Sequence, residues 1–418
     1  MSELENIFGD ADPSFEQGSA PTATQHLTLE VRKDFLPWHK PRKQWIRAQQ
    51  WASPIAALAE KLKLKELHEP LRYLSLPGPD LLDVRSIRPV CEERNIELQF
   101  VGLNGGDDDA DVARTLALEN QVRAMPGIHA GSEVVKDRFE QLGVAKSLAH
   151  SRIITAQRSF DVVNVDLCGS FAEQIPEADY ASIPSALLAL IRHQARHRSR
   201  DWLLFVTTRS DLQAVKPETM DRFINAINEE INKDPQTKSR LIELNLFTES
   251  DFNGLSLEHS KLTAQSHSNA FSIGFAYWVL NGLADELPAW RADMLDQIEY
   301  HVAQNDPSCD MLSLGFWCRQ LSHPMQPDSF GIAKLQTGGE SPLHEVIKTC
   351  IAKVKEKVSQ RIDLDRKLHL NKDKYQIALN ESADLLAGAM YDKEAYLAWA
   401  ESERENLEIF LRKAGLVK

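Results

Sequence analysis

"FDVVNVDLCGS", Phe160 to Ser170, decides the fold. Its β-branched residues Val162, Val163 and Val165, interrupted only by Asn164, lead into Asp166. A short apolar run of this kind reads as a strand buried on both faces, which is the habit of parallel sheets. Downstream, "IPSALLALIRHQARHRS" reads as a helix, "DWLLFVTTRS" (Asp201 to Ser210) as a further strand, and "ETMDRFINAINEEINK" as a helix. Upstream, "LRYLSL" (Leu71 to Leu76) reads as a strand entering the Pro/Gly loop "PGPDLLD". A helix candidate "VRSIRPVCEERN" and a second strand "IELQFVGLN" (Ile96 to Asn104) follow. Helices are expected at about Val112 to Ala124 and Gly131 to Leu142, and "SRIITA" reads as the third strand.

Strands alternating with helices predict an α/β fold, a Rossmann-like, mostly parallel sheet with helices on both faces. The alternation stops after a helix at about Asn269 to Leu287. "MLDQIEYHVAQN" and "DMLSLGFWCRQL" then flank "DPSC" and predict an antiparallel hairpin. Beyond Gly331 the chain reads as helical, with segments at Pro342–Arg361, Lys372–Met390 and Lys393–Ala414. The expected organisation is an acidic flexible arm at 1–31, a basic and aromatic helix at 32–66, the sheet domain at 67–325, and a helical region at 331–418. Balanced charges on the last region suggest a solvated bundle or a docking surface for a protein partner.

The bulk properties fit a soluble globular protein. Of 418 residues, 43% are apolar and 26% charged, and the formal net charge is -13. No run approaches the roughly 18 apolar residues of a membrane span. No secretory leader is visible. The cysteines number five, are scattered and form no C-x-x-C pair, which fits a reducing, cytoplasmic setting. The arm holds six acidic residues and no Lys or Arg up to Val31, and reads as loosely attached.

The layout of Leu71 to Leu321 resembles the class I S-adenosylmethionine-dependent methyltransferases. The segments "FDVVNVDL" and "DWLLFVTTR" are most similar to bacterial and phage-associated groups, such as the three-Cys-motif partner proteins. The resemblance implies S-adenosylmethionine as cofactor, with Gly78 and Asp80 shaping its loop and Asn104 and Asp107 facing its ribose. Asp166, at the fourth-strand tip, would be the catalytic residue that orients the acceptor, and nucleic acid is the implied acceptor in a defence setting. The sequence also departs from the pattern. "SLPGPD" replaces the acidic-x-Gly-x-Gly run after the first strand, Asn104 replaces a carboxylate, and "DLCG" lacks the prolines and aromatic of amino-directed enzymes. A catalytically silent scaffold or regulatory subunit therefore stays open beside the enzyme.

Other motifs read more plainly. Cys168 lacks the preceding proline of cysteine-dependent base methylation. His193 and His197 lie one helical turn apart, yet no third metal ligand has a recognisable spacing. "GGDDDAD" lacks the closing Glu of a calcium loop. The cations of "RHQARHRSR" suit a helix C-terminus.

"FLPWHKPRKQWIRAQQW" (Phe35 to Trp51) is the outlier. Apolar positions from Trp45 to Leu62 recur at helical spacing, Pro41 suits a first turn, and Pro54 should kink or divide the helix. Lys40, Arg42 and Lys43 sit at its start, where cations oppose the helix dipole. They imply a nearby anion. Trp38, Lys40, Arg42, Lys43 and Arg47 together have the aromatic and cationic mix that single-stranded nucleic acid needs. An internal salt-bridge network with Asp80, Asp83 or the acidic arm is the favoured account of them.

Overall fold

A computed structural model describes residues 30–105, 109–156, 158–173, 181–304, 307–321 and 342–417. Strands β1 (Leu71–Ser75), β2 (Leu98–Leu103), β3 (Glu133–Val135), β4 (Val162–Asp166) and β5 (Trp202–Arg209) form the parallel part of the sheet. A small hairpin, β6 (Phe252–Asn253) and β7 (Ser256–Leu257), stands apart. β8 (Trp290–Met294) and β9 (Ile298–Tyr300) both pair antiparallel to β10 (Met311–Gln320), and β10 runs antiparallel to β5. β11 (Ile362–Asp363) adds to β9, so the order is β11-β9-β10-β5-β4-β1-β2-β3, with β8 also on β10. Parallel strand–helix units closed by an antiparallel hairpin are the architecture expected from the sequence.

Alternation within the strands feeds two cores. Leu74, Val163, Val165, Leu204 and Val206 face the helices Ile183–His197, Pro217–Lys233 and Ala264–Ala284. Leu71, Tyr73, Val162, Leu203 and Phe205 face Ala52–Lys61, Leu82–Glu92 and the inner side of Asp109–Arg123. The helix after β1 thus lies on one face and the helix after β4 on the other. Between β1 and β4 the strand order reverses. In open α/β sheets, ligands bind outside the carboxyl ends of the strands at such a point.

Two expectations fail locally. "SRIITA" is not a strand, because Ser151–Thr155 forms a π-helical turn, and the third strand is Glu133–Val135. The helix expected from Gly131 to Leu142 is instead this strand followed by a 3-10 turn at Phe139–Gly143. Both apolar runs are short, and short runs do not separate strand from helix by period. Near Pro54 the helix neither breaks nor divides. Ile46–Trp51 winds as a π segment and continues as Ala52–Lys61, the wider turn being a common way to absorb a disturbed hydrogen-bond ladder.

The C-terminal helices belong to the fold. Leu379, Ala383, Leu386, Tyr396 and Ala400 pack with Leu82 in a third cluster. Ser382 Oγ and Tyr396 OH both donate to the carbonyl of His39, at 3.1 and 2.8 Å. Residues 1–29, most of the expected acidic arm, lie outside the described residues. No described helix is long and apolar enough to cross a membrane.

Candidate functional site

The crevice at the carboxyl ends of β1 and β4 is polar and buried. Ser75 ends β1 in register with Asn164 of β4, and Asp166 ends β4 two residues later on the same face. Asn164 Nδ2 donates to Tyr73 OH (2.8 Å), and Tyr73 OH donates to Asp83 Oδ2 (3.1 Å). Burial pushes the Asp83 carboxyl above its ordinary range, against the pull of the Ser75 hydroxyl and Arg47. Ser75 lies close to Asp83, yet neither Ser75 Oγ nor Asp83 Oδ1 closes a hydrogen bond of normal geometry.

The loop between β1 and Leu82–Glu92 sets this edge. A β-carbon at Gly102 would stand 2.6 Å from Pro77 Cγ, so glycine in β2 lets the loop lie flat across the strand. Gly78 faces open space, with nothing within 4 Å of where its β-carbon would be. Leu81 has φ +50°, a left-handed conformation costing a branched residue on the order of 1–3 kcal/mol, and it is held there by complete burial. Such strain clusters at functional sites.

The N-terminal segment covers the other half of the crevice. Lys43 Nζ donates to Asp166 Oδ1 at 2.5 Å, reaches Thr207 Oγ1 at 3.5 Å and lies 5.0 Å from the Trp51 ring centre. Burial lowers the Lys43 pKa, and Asp166 opposes that shift. Gln50 fixes the segment to β10. Its Nε2 donates to the Ser313 carbonyl (2.8 Å), and Ser313 Oγ donates back to Gln50 Oε1 (2.6 Å).

The other cations of the stretch turn inward. Arg42 bonds Asp365 at 3.0 Å and lies over the Tyr300 ring, and Lys40 pairs with Glu403 at 2.5 Å. Burial alone would raise the Asp365 carboxyl, but Arg42 and His301 hold it down at about 2. The structure thus forms an internal network, with Asp166, Asp365 and Glu403 as partners in place of the expected Asp80, Asp83 or acidic arm. Arg42, Lys43 and Arg47 are each buried, so none is displayed to a phosphate backbone. Trp38 alone of the five is exposed, at 38%.

The remaining expected site residues scatter. Asp80 is buried and held by two side chains from outside its loop. Arg114 Nε donates to its Oδ1 (2.9 Å), and Tyr391 OH to its Oδ2 (2.8 Å). Asn104 is half-buried at the end of β2, beside Thr115. Asp107 lies outside the described residues. Cys168 reaches the surface, but burial of its base and the neighbouring Asp166 push its thiol up. His193 Nε2 is engaged by the Arg158 carbonyl at 2.7 Å, and no group of metal-ligating residues forms among the described residues. The sequence offered Asp83 only as a partner for the cations of the N-terminal stretch, and gave Asn164 and Tyr73 no role beyond their strands. The resemblance places the segment of Lys43 and Arg47 across the cofactor mouth, but the sequence assigned both residues to nucleic acid. The cations at the helix start were the one available signal.

A family model described as PP_RS20740-like matches residues 32–401. No curated protein matches the sequence. Among solved structures, an rRNA methylase from Streptococcus thermophilus aligns at 8% identity over 60% of this chain and 89% of that one, with a TM-score of 0.29. The plantazolicin methyltransferase BamL, in complex with a triazolic desmethylPZN analog and SAH, aligns at 8% identity over 66% and 85%, with a TM-score of 0.31. The likeness is slight, and residue roles do not transfer across it.

Proposed function

The chain belongs to the PP_RS20740-like family, and we propose that it is a methyltransferase-like protein that binds S-adenosylmethionine at the β1–β4 crevice. The observation that supports this most is the buried polar set Tyr73, Asp83, Asn164 and Asp166, gathered where the strand order reverses. A fold does not spend buried polar groups there for stability, since apolar side chains would pack at lower cost. The residues fit such a cofactor. Gly78 leaves its loop open, Asn104 presents a polar side chain at the end of β2, and the crevice holds groups of both charges. The cofactor would supply an electrophilic methyl group.

Asp166 is the residue placed to orient an acceptor. Its side chain is 23% exposed while its Oδ1 is held by Lys43. Parting of that pair frees the carboxylate to accept a hydrogen bond or a proton from an acceptor amine. Trp51 and Thr207 form the adjoining wall. Nucleic acid as the acceptor, and a role in defence against phage, are finer readings that go with the family resemblance.

S-adenosylhomocysteine should raise the melting temperature of the purified protein and give a calorimetric binding isotherm. Silence at millimolar ligand would sink the cofactor reading. A second reading, the silent scaffold or regulatory subunit that docks a partner through its C-terminal helices, is favoured by the Lys43–Asp166 pair. A carboxylate permanently neutralised by its own chain has no acceptor to orient. Lys43→Met decides between them: a gain in S-adenosylhomocysteine affinity supports a crevice that opens, and unchanged absence of binding supports the scaffold.

A further inference from the structure

Away from the crevice, a second recess opens where the start of Pro41–Trp45 meets Leu364–Leu370 and Lys393–Lys413. Pro41, Leu368, Tyr375, Leu407 and Leu411 give it an apolar lining. It is a narrow cleft. Of about 530 Å³ of empty space, open mouth included, only about 50 Å³ can be reached by the centre of a water molecule. Any occupant is therefore slender.

Arg42 lines this cleft and is 4% exposed. Its Nη1 donates to Asp365 Oδ1, but Nε and Nη2 have no hydrogen-bond partner. Those two nitrogens share one edge of the guanidinium, the kind of edge that grips a carboxylate with two parallel bonds. Buried donors without acceptors are costly. The acids around the cleft are already engaged. Asp365 also holds the backbone N–H and the ring of His301, Glu403 holds Lys40, and Glu408 holds Arg412. Arg404 adds a further cation, 4.7 Å from the Tyr375 ring centre and 3.4 Å from Glu401.

An apolar cleft beside a buried cation with a free bidentate edge is the complement of an apolar anion. We infer that this cleft is a second ligand site and takes a slender apolar carboxylate of the straight-chain acid type. The carboxylate meets the free edge of Arg42, and the chain lies along Leu368, Leu407 and Leu411. The Lys40–Glu403 pair ties the two walls together, and its parting admits the head group. The site is separate from the β1–β4 crevice and does not depend on the cofactor reading. Arg42, expected from the sequence at a phosphate backbone, serves a single carboxylate instead.

The test is calorimetry on the full chain with four probes: octanoate, octan-1-ol (the same chain without the charge), octylammonium (the opposite charge) and acetate (the charge without the chain). Octanoate should bind about tenfold or more tightly than octan-1-ol, with octylammonium and acetate silent. Arg42→Gln should remove the advantage of octanoate and leave octan-1-ol unchanged. Leu407→Trp fills the cleft without touching its charges and should abolish both. Glu403→Gln loosens the tie between the walls and should tighten octanoate. Equal affinity for octanoate and octan-1-ol would mean an apolar recess without anion recognition and overturn the inference. Octanoate binding that survives Leu407→Trp lies elsewhere, the crevice included, and overturns it too, as does no binding of octanoate. No tightening by Glu403→Gln would overturn the placement of the head group. Should Arg42→Gln fail to fold, the octanoate and octan-1-ol comparison and Leu407→Trp still decide.

Discussion

Two basic stretches in this acidic chain look alike on paper and differ in depth. Lys40 to Arg47 is sealed between the sheet and the C-terminal helices, and its pairs with Asp365 and Asp166 are shielded from solvent on the cation side. Arg192 to Arg200 ends a surface helix. There Arg192 and Arg196 share Glu286 at 3.3 and 2.5 Å, with side chains 46% and 59% exposed. Of its four arginines only Arg198 is buried, against Asp161 at 2.8 Å. The difference teaches that cation density in a sequence reports an anion nearby, and that only burial tells whether the anion is worth much.

The contrast is tested most severely at Asp365. Asp365→Ala strands Arg42 in the interior and leaves the His301 backbone N–H without its acceptor, now met at 2.7 Å. A loss of about 3–5 kcal/mol in chemical denaturation is expected. A loss below 1 kcal/mol would erase the distinction between the two stretches.

Acid sharpens the same comparison. His39, wholly buried in the N-terminal segment, is pushed down to about 4 by burial, so the fold holds it neutral. The unfolded chain takes up that proton near its ordinary value of about 6.5. Between these values the unfolded state binds more protons, so stability falls as pH falls, by about 1.4 kcal/mol per unit for this group. The effect is complete below about pH 4 and absent above about pH 7. His39→Asn should flatten the acid limb of a stability–pH curve by on the order of 3 kcal/mol. An unchanged limb would show that the segment opens before the imidazole titrates.

The smallest effect belongs to the surface stretch. Glu286→Gln should cost no more than about 1 kcal/mol, and less in high salt, because both arginines remain well solvated. Thermal melts at low and high ionic strength check this. A salt-independent loss of several kcal/mol would show that burial of the Glu286 carboxylate, 7% exposed, outweighs the solvation of its arginines.

Much of the fold was legible because strand and helix periods are local. β1, β2, β4 and β5 lie where their apolar runs stand, and the closing hairpin follows its turn. β3 was not legible, since three residues carry no period, and its neighbour "SRIITA" has the composition of a strand without being one. The site was legible only in part. Asp166 stood out because it ends a strand that names itself, and Lys43 because cations oppose a helix start; the structure pairs the two. The partners of Asp80 were not legible, because a carboxylate in a β1 loop reads the same whether it faces a ligand or Tyr391, which lies 311 residues away in the chain.

The sequence by itself determined the elements, their alternation and the presence of charges that needed partners. Tertiary structure decided which partners they found. Lys43 and Asp166 are 123 residues apart, and Arg42 and Asp365 are 323 apart. Propensity and periodicity act over a few residues. An ion pair depends on where two distant chain segments are brought together, and on how much water their packing excludes.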